Sequence, residues 1–572
     1  MRHRNPSTWR VIALALATLG LALGLALFAT TNPVAGADND DPPYLRLLEL
    51  LQTNRDVLPP KLPRVELFAM YNSEAPVPPQ CYTRTEGKYN PCYVCHQNAI
   101  PGRENAMNDG DLQAAYSFSD FGGVNHWRNL FEDRSKRVAA IDDDEIRRWI
   151  EQDNYSELAP RLRAANFAGW IPDLKDLPLG AAAFDEYGLA KDGSRWIAFN
   201  YKPFPSAFWP TNGSTDDVMI RLPKAFRTTK RGEYSRDVYL TNLAILEINI
   251  KGLTAVDSFP IDERIVNRDL DDDGNLRPTK LVKRQTHYVG AADKIAVIPS
   301  VYPQDTEFLH TVRYVGIGKQ GDIVNSTRIK EVRYMRRWLA SDLAQLKMWY
   351  EAERIEKDKG ELPAYINLGQ RGLGTRMGWQ IAGFIEDAAG RLRANTFEET
   401  MFCMGCHNSI GTTVDKTFSF ARKVDGARGW RYIDLKNMPD APTLGETRGE
   451  IATYLERTGG GSEFRDNPEM QARWFHRDGR PNSDAIANAK DVYDLIAPSV
   501  ERALTLDKAY KAIVEEQSYL FGRDPTSTTP RHVYRSIDSD TAPTLSEDKR
   551  FSWDIRLDWR AANAHTAANN AR

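Results

Sequence analysis

The spacing of apolar and polar positions divides the chain into helical ends and a middle with a shorter period. Between Asp41 and Asn54, the residues Leu45, Leu47, Leu48, Leu50 and Leu51 form an apolar stripe that predicts a short amphipathic helix. Asp142 to Glu145 predicts the capped start of a helix carrying Ile146, Trp149 and Ile150. From about Gly180 to Arg333, short runs rich in β-branched and aromatic residues predict strands at 196–201, 218–222, 294–298 and 308–315, separated by Pro, Gly, Asn and Asp turns. Tyr239 to Ile250 is apolar almost throughout and is compatible with a helix or a buried strand.

Helical spacing returns over Glu331 to Arg354, where Trp338, Leu339, Leu343, Leu346 and Trp349 share one face, and again over Val500 to Leu520. Between these, Trp379 to Ile385 and Gly390 to Arg393 predict a hairpin. Thr396 with Glu399, and Thr443 with Glu446, have the spacing of capping boxes at helix starts. The fold class is therefore α+β, with mainly helical regions at both ends and a β-rich middle block. The corresponding division is an export segment over 1–37, an N-terminal region over 38–179, a middle region over 180–333 and a C-terminal region over 334–572.

The export segment changes where this fold is expected to work. Arg2, Arg4 and Arg10 precede a nearly unbroken apolar run from Val11 to Thr30, and Ala35, Gly36 and Ala37 offer a small-residue cleavage site. The run is longer than a usual signal core of about 7–15 residues, so an uncleaved anchor stands beside a cleaved signal peptide. No cysteine lies near the site, which gives no support to an acylated N-terminus. The bulk of the chain is expected in the periplasm or outside the cell. A formal net charge of −3 gives no support for nucleic-acid binding.

Candidate chemistry lies in two pentapeptides. Cys92, Tyr93, Val94, Cys95 and His96 form one C-x-x-C-H run, and Cys403, Met404, Gly405, Cys406 and His407 form the other. Two cysteines on one turn can form thioethers to both vinyl groups of a porphyrin, and the adjacent histidine then falls beneath the iron. With nine histidines in 572 residues, finding one after both cysteine pairs by chance has odds of about 1 in 4000. A Cys₄ zinc site needs its pairs much closer than the 311 positions that separate Cys92 from Cys403. A thioredoxin-like pair needs one C-x-x-C in a βαβ setting.

On these two pentapeptides the sequence resembles the dihaem c-type cytochromes. The resemblance implies two haem c groups, cytochrome c-like haem regions at both ends, and proximal iron ligands His96 and His407. It implies an exported dihaem protein that transfers single electrons to or from a redox partner protein. Two alternatives are a dihaem oxidoreductase of peroxidase or oxygenase type, with one catalytic and one relay haem, and a haem-stabilised binding module of a larger redox assembly. If the chain is an enzyme, the resemblance implies a haem-dependent oxidoreductase. Position favours His126 as distal ligand for the first iron and Met438, in an Asn-Met-Pro loop like that of small cytochromes c, for the second. His287 and His310 read as ordinary strand histidines, and His476 is the reserve ligand for the second iron.

Three further features stand outside the motifs. Cys81 is the odd cysteine of five, and reads as an inert thiol, an intermolecular bridge or an iron ligand. Asp269, Asp271 and Asp273, followed by Gly274, match the first half of a calcium loop, but position twelve is Lys280 instead of glutamate. Arg333, Arg336 and Arg337 read as a solvated face that could steer an acidic partner or haem propionates.

Overall fold

The computed structural model describes residues 75–89, 92, 95–96, 110–116, 118–205, 207–359, 365–375, 377–407, 417–458, 467–550 and 554–562. The export segment and the helix expected over 41–54 lie outside these residues.

An eight-stranded antiparallel sheet organises the chain. In chain order its strands are β1 (Ile197–Ala198), β2 (Thr215–Arg221), β5 (Glu307–Ile317), β6 (Ile323–Arg337), β7 (Ile366–Asn367), β8 (Leu373–Gly374), β9 (Trp379–Glu386) and β10 (Leu392–Ala394). They lie in the order β1-β2-β5-β6-β9-β8-β7, with β10 paired to the free part of β9. A separate hairpin is made by β3 (Ala255–Asp262) and β4 (Pro278–Lys283). The longer helices that position the site are α1 (Asp143–Glu151), α2 (Arg236–Lys251), α3 (Leu343–Asp358), α4 (Phe397–His407) and α5 (Val500–Glu516).

The α+β class holds, and the large sheet occupies the middle of the chain. Tyr239 to Ile250 belongs to α2, whose residues are buried all round, so it carries no amphipathic stripe from which to read its period. Glu331 to Arg337 is the end of β6 and not the start of a helix; the helical apolar set begins only with α3. Here Arg333 alternates with Val332 and Tyr334, a strand pattern that the following helix masks. Residues 294–298 make a single bridge, Ala296 to His287, and not a strand. Thr443 and Glu446 close a turn before the helix that begins at Glu450. The expected end of the middle block at residue 333 falls inside β6, and the sheet runs on to Ala394.

Register fixes which residues share a face. Val218 on β2, His310 on β5, Arg333 on β6 and Gly383 on β9 stand directly opposite one another across four adjacent strands. On this face α2 packs with Val218, Ile220 and Phe308. At the other side of the same face, Met401, Cys403 and Met404 of α4 pack with Leu373, Ile381 and Met335. The opposite face is covered by residues 155–177, where Trp170 stacks on Tyr334 at 4.2 Å, and by α5.

Candidate functional site

The helix bearing the second pentapeptide is set by a closed capping box. Thr396 Oγ1 accepts from the Glu399 amide at 3.0 Å, and the Glu399 carboxylate accepts from the Thr396 amide at 2.8 Å. Glu399 is also the bidentate partner of Arg393, at 2.8 and 2.9 Å, both groups being buried. Burial pushes Glu399 up, but Arg393 and Arg523 outweigh it and hold the carboxyl below its ordinary range. The sequence therefore places Cys403, Cys406 and His407 on the last turns of a helix anchored at its start to the sheet.

The two pentapeptides, 311 positions apart, converge. Gly405, between the two cysteines of the second, lies so close to the segment leading to the first that a Cβ there would stand 2.3 Å from the Pro76 carbonyl oxygen. Trp127 Nε1 donates to the next carbonyl, Val77, at 2.8 Å. The same indole meets Phe402 edge-to-face at 5.2 Å. Cys92, Tyr82 and Trp127 form one cluster, and Phe402 packs against it. Within the first pentapeptide, the Cys95 and His96 amides both donate to the Cys92 carbonyl, closing one turn.

Around Cys403 and Cys406 the electrostatics are cationic. Burial pushes the Cys403 thiol up, against a downward pull from Arg333 and Arg523. Burial raises Cys406 to about 11, again opposed by Arg333. Cys406 is nevertheless exposed to solvent. Arg333 lies beside both thiols. Its Nε and Nη2 bind Glu331 at 3.0 and 2.9 Å, and its guanidinium lies 4.9 Å from the Phe208 ring. Arg523 reaches Glu331 at 2.8 Å and the Glu399 carbonyl at 2.6 Å. Directly across from Arg333, His310 Nε2 bonds Asp216 at 3.2 Å, and Asp216 also accepts from the Tyr201 hydroxyl.

The predicted distal ligands are placed differently from one another. His126 stacks on Phe121 at 4.0 Å and its Nε2 is bonded to the Phe121 carbonyl at 2.9 Å. Met438 is buried in a cluster with Ile451, Tyr454 and Trp474 that Cys95 borders, whereas Cys403 belongs to a different cluster. The structure thus groups Met438 with the first turn and not, as its position suggests, with the second. His287 is a half-buried bridge residue opposite Ala296, His476 sits in an exposed turn, and Cys81 is half-buried. His310 is the residue that strand periodicity passes over. A half-buried histidine opposite an arginine becomes visible only when the register of β5 and β6 is known.

Of the predicted calcium ligands, Asp269 and Asp271 come together with Glu263, with one ligand atom of each within 4.8 Å of the others. Asp273 instead pairs with Arg277, 2.6 Å from its Nε. Glu263 is fully buried and accepts from the Leu270 and Arg277 amides at 2.6 and 3.0 Å. Glu263 lies upstream of the loop, outside any spacing a calcium-loop pattern contains.

A lipoprotein family model matches residues 65–494. An uncharacterized lipoprotein of Aquifex aeolicus (strain VF5) is 31% identical over 513 residues, covering 79% of this chain and 86% of that protein. The chain belongs to this lipoprotein family. No solved structure matches it. Membership corrects the assignment drawn from the pentapeptides: the chain is not identified as a dihaem c-type cytochrome, and the electron-carrier function, its oxidoreductase and redox-module alternatives, and the cytochrome c-like ends fall with that assignment. The physical reason is that a C-x-x-C-H turn is a local device of five residues, whereas the family is defined across the sheet, α2 and α4 together. Lipoprotein membership agrees with an exported protein, as the apolar run at 11–30 predicts. No described helix is long and apolar enough to cross a membrane. The first cysteine of the chain is Cys81, so the sequence offers no cysteine beside the expected cleavage site for acylation.

Proposed function

We propose that this member of the lipoprotein family is an exported protein, held at or released from the membrane by its N-terminal segment, that carries covalently attached haem at both C-x-x-C-H turns. The observation that carries the proposal is the convergence of the two turns on Trp127 and Phe402. The residues of the second turn fit the group: the thiols of Cys403 and Cys406 form no disulfide and lie one helical turn apart, and Cys406 is exposed. Haem, when bound, would supply a ligand-binding, redox-active iron.

The chain's own residues have separable tasks. Cys92, Cys95, Cys403 and Cys406 supply the thioether sulfurs, and His96 and His407 the proximal nitrogens. Phe418, with its ring 5.3 Å from that of His407, limits the rotation of the imidazole. His126 and Met438 remain the distal candidates, with Met438 assigned to the first turn on the grouping above. The proposal includes a protein partner in the same compartment and no nucleic acid. Export of the full chain in a host that matures haem proteins should yield a mass two haem units above the bare processed chain. Cys92→Ala with Cys95→Ala, or Cys403→Ala with Cys406→Ala, should each remove one unit. A colourless protein of bare-chain mass would overturn the proposal.

A structural calcium ion at Glu263, Asp269 and Asp271 is proposed on separate grounds: three carboxylates whose oxygens already converge.

A further inference from the structure

A cleft of about 500 Å³ opens between the core built on α2 and the helical core nearer the C-terminus. Small-molecule sites typically have about 300–1,000 Å³. Its deep walls are apolar: Trp430 belongs to the first core and Trp559 to the second, both buried, while Phe259, Val424 and Pro439 are half-buried. The frame is rigid. The Asn200 side chain, buried, accepts from the Asp434 amide at 3.0 Å and donates to its carbonyl at 3.1 Å, and the Asn200 backbone bonds Gly429 at 2.7 Å and Val424 at 2.9 Å. Gly188 packs so closely that a Cβ there would stand 2.9 Å from the Trp430 carbonyl oxygen. The cleft is thus formed without a ligand to order it, which lowers the cost of binding one.

Five charged side chains line the cleft, and three of them are committed: Lys436 binds Asp322 at 2.6 Å, and Arg431 lies 3.9 Å from Asp434. Arg428 and Glu186 remain, both exposed, and neither has an ion-pair partner among the described residues. Nor do they pair with each other, their charged atoms being more than 4.0 Å apart. With Asp322 counted, three cations face three anions, so the site has no net charge. Each free charge sits on a braced turn. Arg428 is carried by Gly426–Gly429, where a Cβ at Gly426 would stand 2.4 Å from the Asp257 carbonyl oxygen. Glu186 lies in a turn closed by Asp185, whose Oδ1 accepts from the Tyr187 and Leu189 amides, both at 2.9 Å. A ligand of net charge would leave one of the two unmatched, whereas a zwitterion answers both and brings no net charge into the cleft.

We propose that this cleft binds a small zwitterion with an apolar body, of the class of the apolar α-amino acids. Its carboxylate is held by Arg428, its ammonium by Glu186, and its side chain against Phe259, Val424 and Pro439. A guanidinium presents its donors in a fork that matches a carboxylate. The site is separate from the haem and calcium proposals. Met438 also lines the cleft, but as a wall; the grip uses neither its sulfur nor any residue of the two turns.

Calorimetric titration of the full-length exported protein with leucine tests the site, alongside leucinamide, which lacks the carboxylate, and N-acetylleucine, which lacks the ammonium. Leucine should bind saturably and about fivefold more tightly than either analogue, the order of an ion pair at a solvent-exposed mouth. Arg428→Gln should weaken leucine binding by the same factor and leave leucinamide binding unchanged. Glu186→Gln should weaken leucine binding as much and leave N-acetylleucine binding unchanged. A damaged fold would instead lower all three affinities together. The proposal is overturned if leucine does not bind, or if either substitution acts alike on all three ligands. It is also overturned if one analogue binds as tightly as leucine, which would assign the cleft to the end of a peptide.

Discussion

The two C-x-x-C-H turns share a sequence pattern and little of its support. The second ends a regular helix whose first turn is locked by a capping box and a buried arginine–glutamate pair. The first is a single turn held from outside: Tyr82 donates to the Gly122 and Val124 carbonyls, and the distant tail pairs with it through Val533 to Thr83 and Tyr534 to Tyr82. One turn is stable by its own secondary structure and the other by long-range contacts. The same five-residue pattern can thus be built into opposite kinds of surroundings, so it leaves the architecture open.

The comparison can be broken most severely at Glu399. Glu399→Ala leaves Arg393 buried without its carboxylate and removes the cap, a loss of about 3–5 kcal/mol. Urea unfolding should show it, and protease resistance should fall near residue 400 before it falls near residue 85. Ile537→Ala should do the reverse. It removes a buried side chain from the cluster around Cys92 at a cost of about 2 kcal/mol, and cleavage should begin near the first turn. Equal sensitivity of both turns to either substitution would dissolve the distinction. Gly405→Ala tests the contact between them. Its Cβ would meet the Pro76 carbonyl, and separating the two segments should cost about 1–3 kcal/mol without unwinding α4, as circular dichroism would register.

A smaller effect comes from α5, which supports the sheet behind both turns. Asp507 is buried, accepts from the Val315 amide, and has an Oδ2 without a partner among the described residues. Burial pushes its carboxyl up to about 8, against the pull of Lys330. An acid with its folded pKa raised binds its proton in the folded state while the unfolded chain has already released it. Stability should therefore decline as pH rises from the ordinary carboxylate range, about 4, towards 8, and Asp507→Asn should flatten that decline. A denaturation midpoint independent of pH over this range would show that Asp507 is ionised in the fold. Lys330, lowered by its own burial to about 8, contributes with the opposite slope and only above that pH. Smallest is the acidic loop between β3 and β4: calcium should raise the melting temperature and a chelator reverse the rise, with Asp271→Asn abolishing both.

Regular elements were legible where one period ran without interruption. The helix at Val500, the hairpin at Trp379 and Gly390, and the box at Thr396 all appear where pattern and capping residues agree. The pattern failed along β6 because the strand is buried on both faces while carrying arginines, lysine and glutamate that are paired within the protein. Polarity there reports an internal network and not contact with water. Cys403, Cys406 and His407 could be picked out one by one, but their neighbours could not. Arg333 looked like part of a solvated face, and its facing of Cys406 and His310 follows from strand register, which no local spacing encodes. Glu263 was hidden for the same reason, its carboxylate entering the acidic loop from the wrong side in sequence.

Tyr534 donates to the carbonyls of both Tyr82 and Lys88, and its neighbours close over the chain around Cys92. A polypeptide that emerges from its N-terminus onwards has no such closure until residues 533–537 have appeared. Cys92, Cys95 and His96 thus stay uncovered until that tail arrives, whereas the helix ending at His407 can form as soon as its own residues and the adjoining strands are out. The older of the two turns by order of synthesis is the last to be sealed.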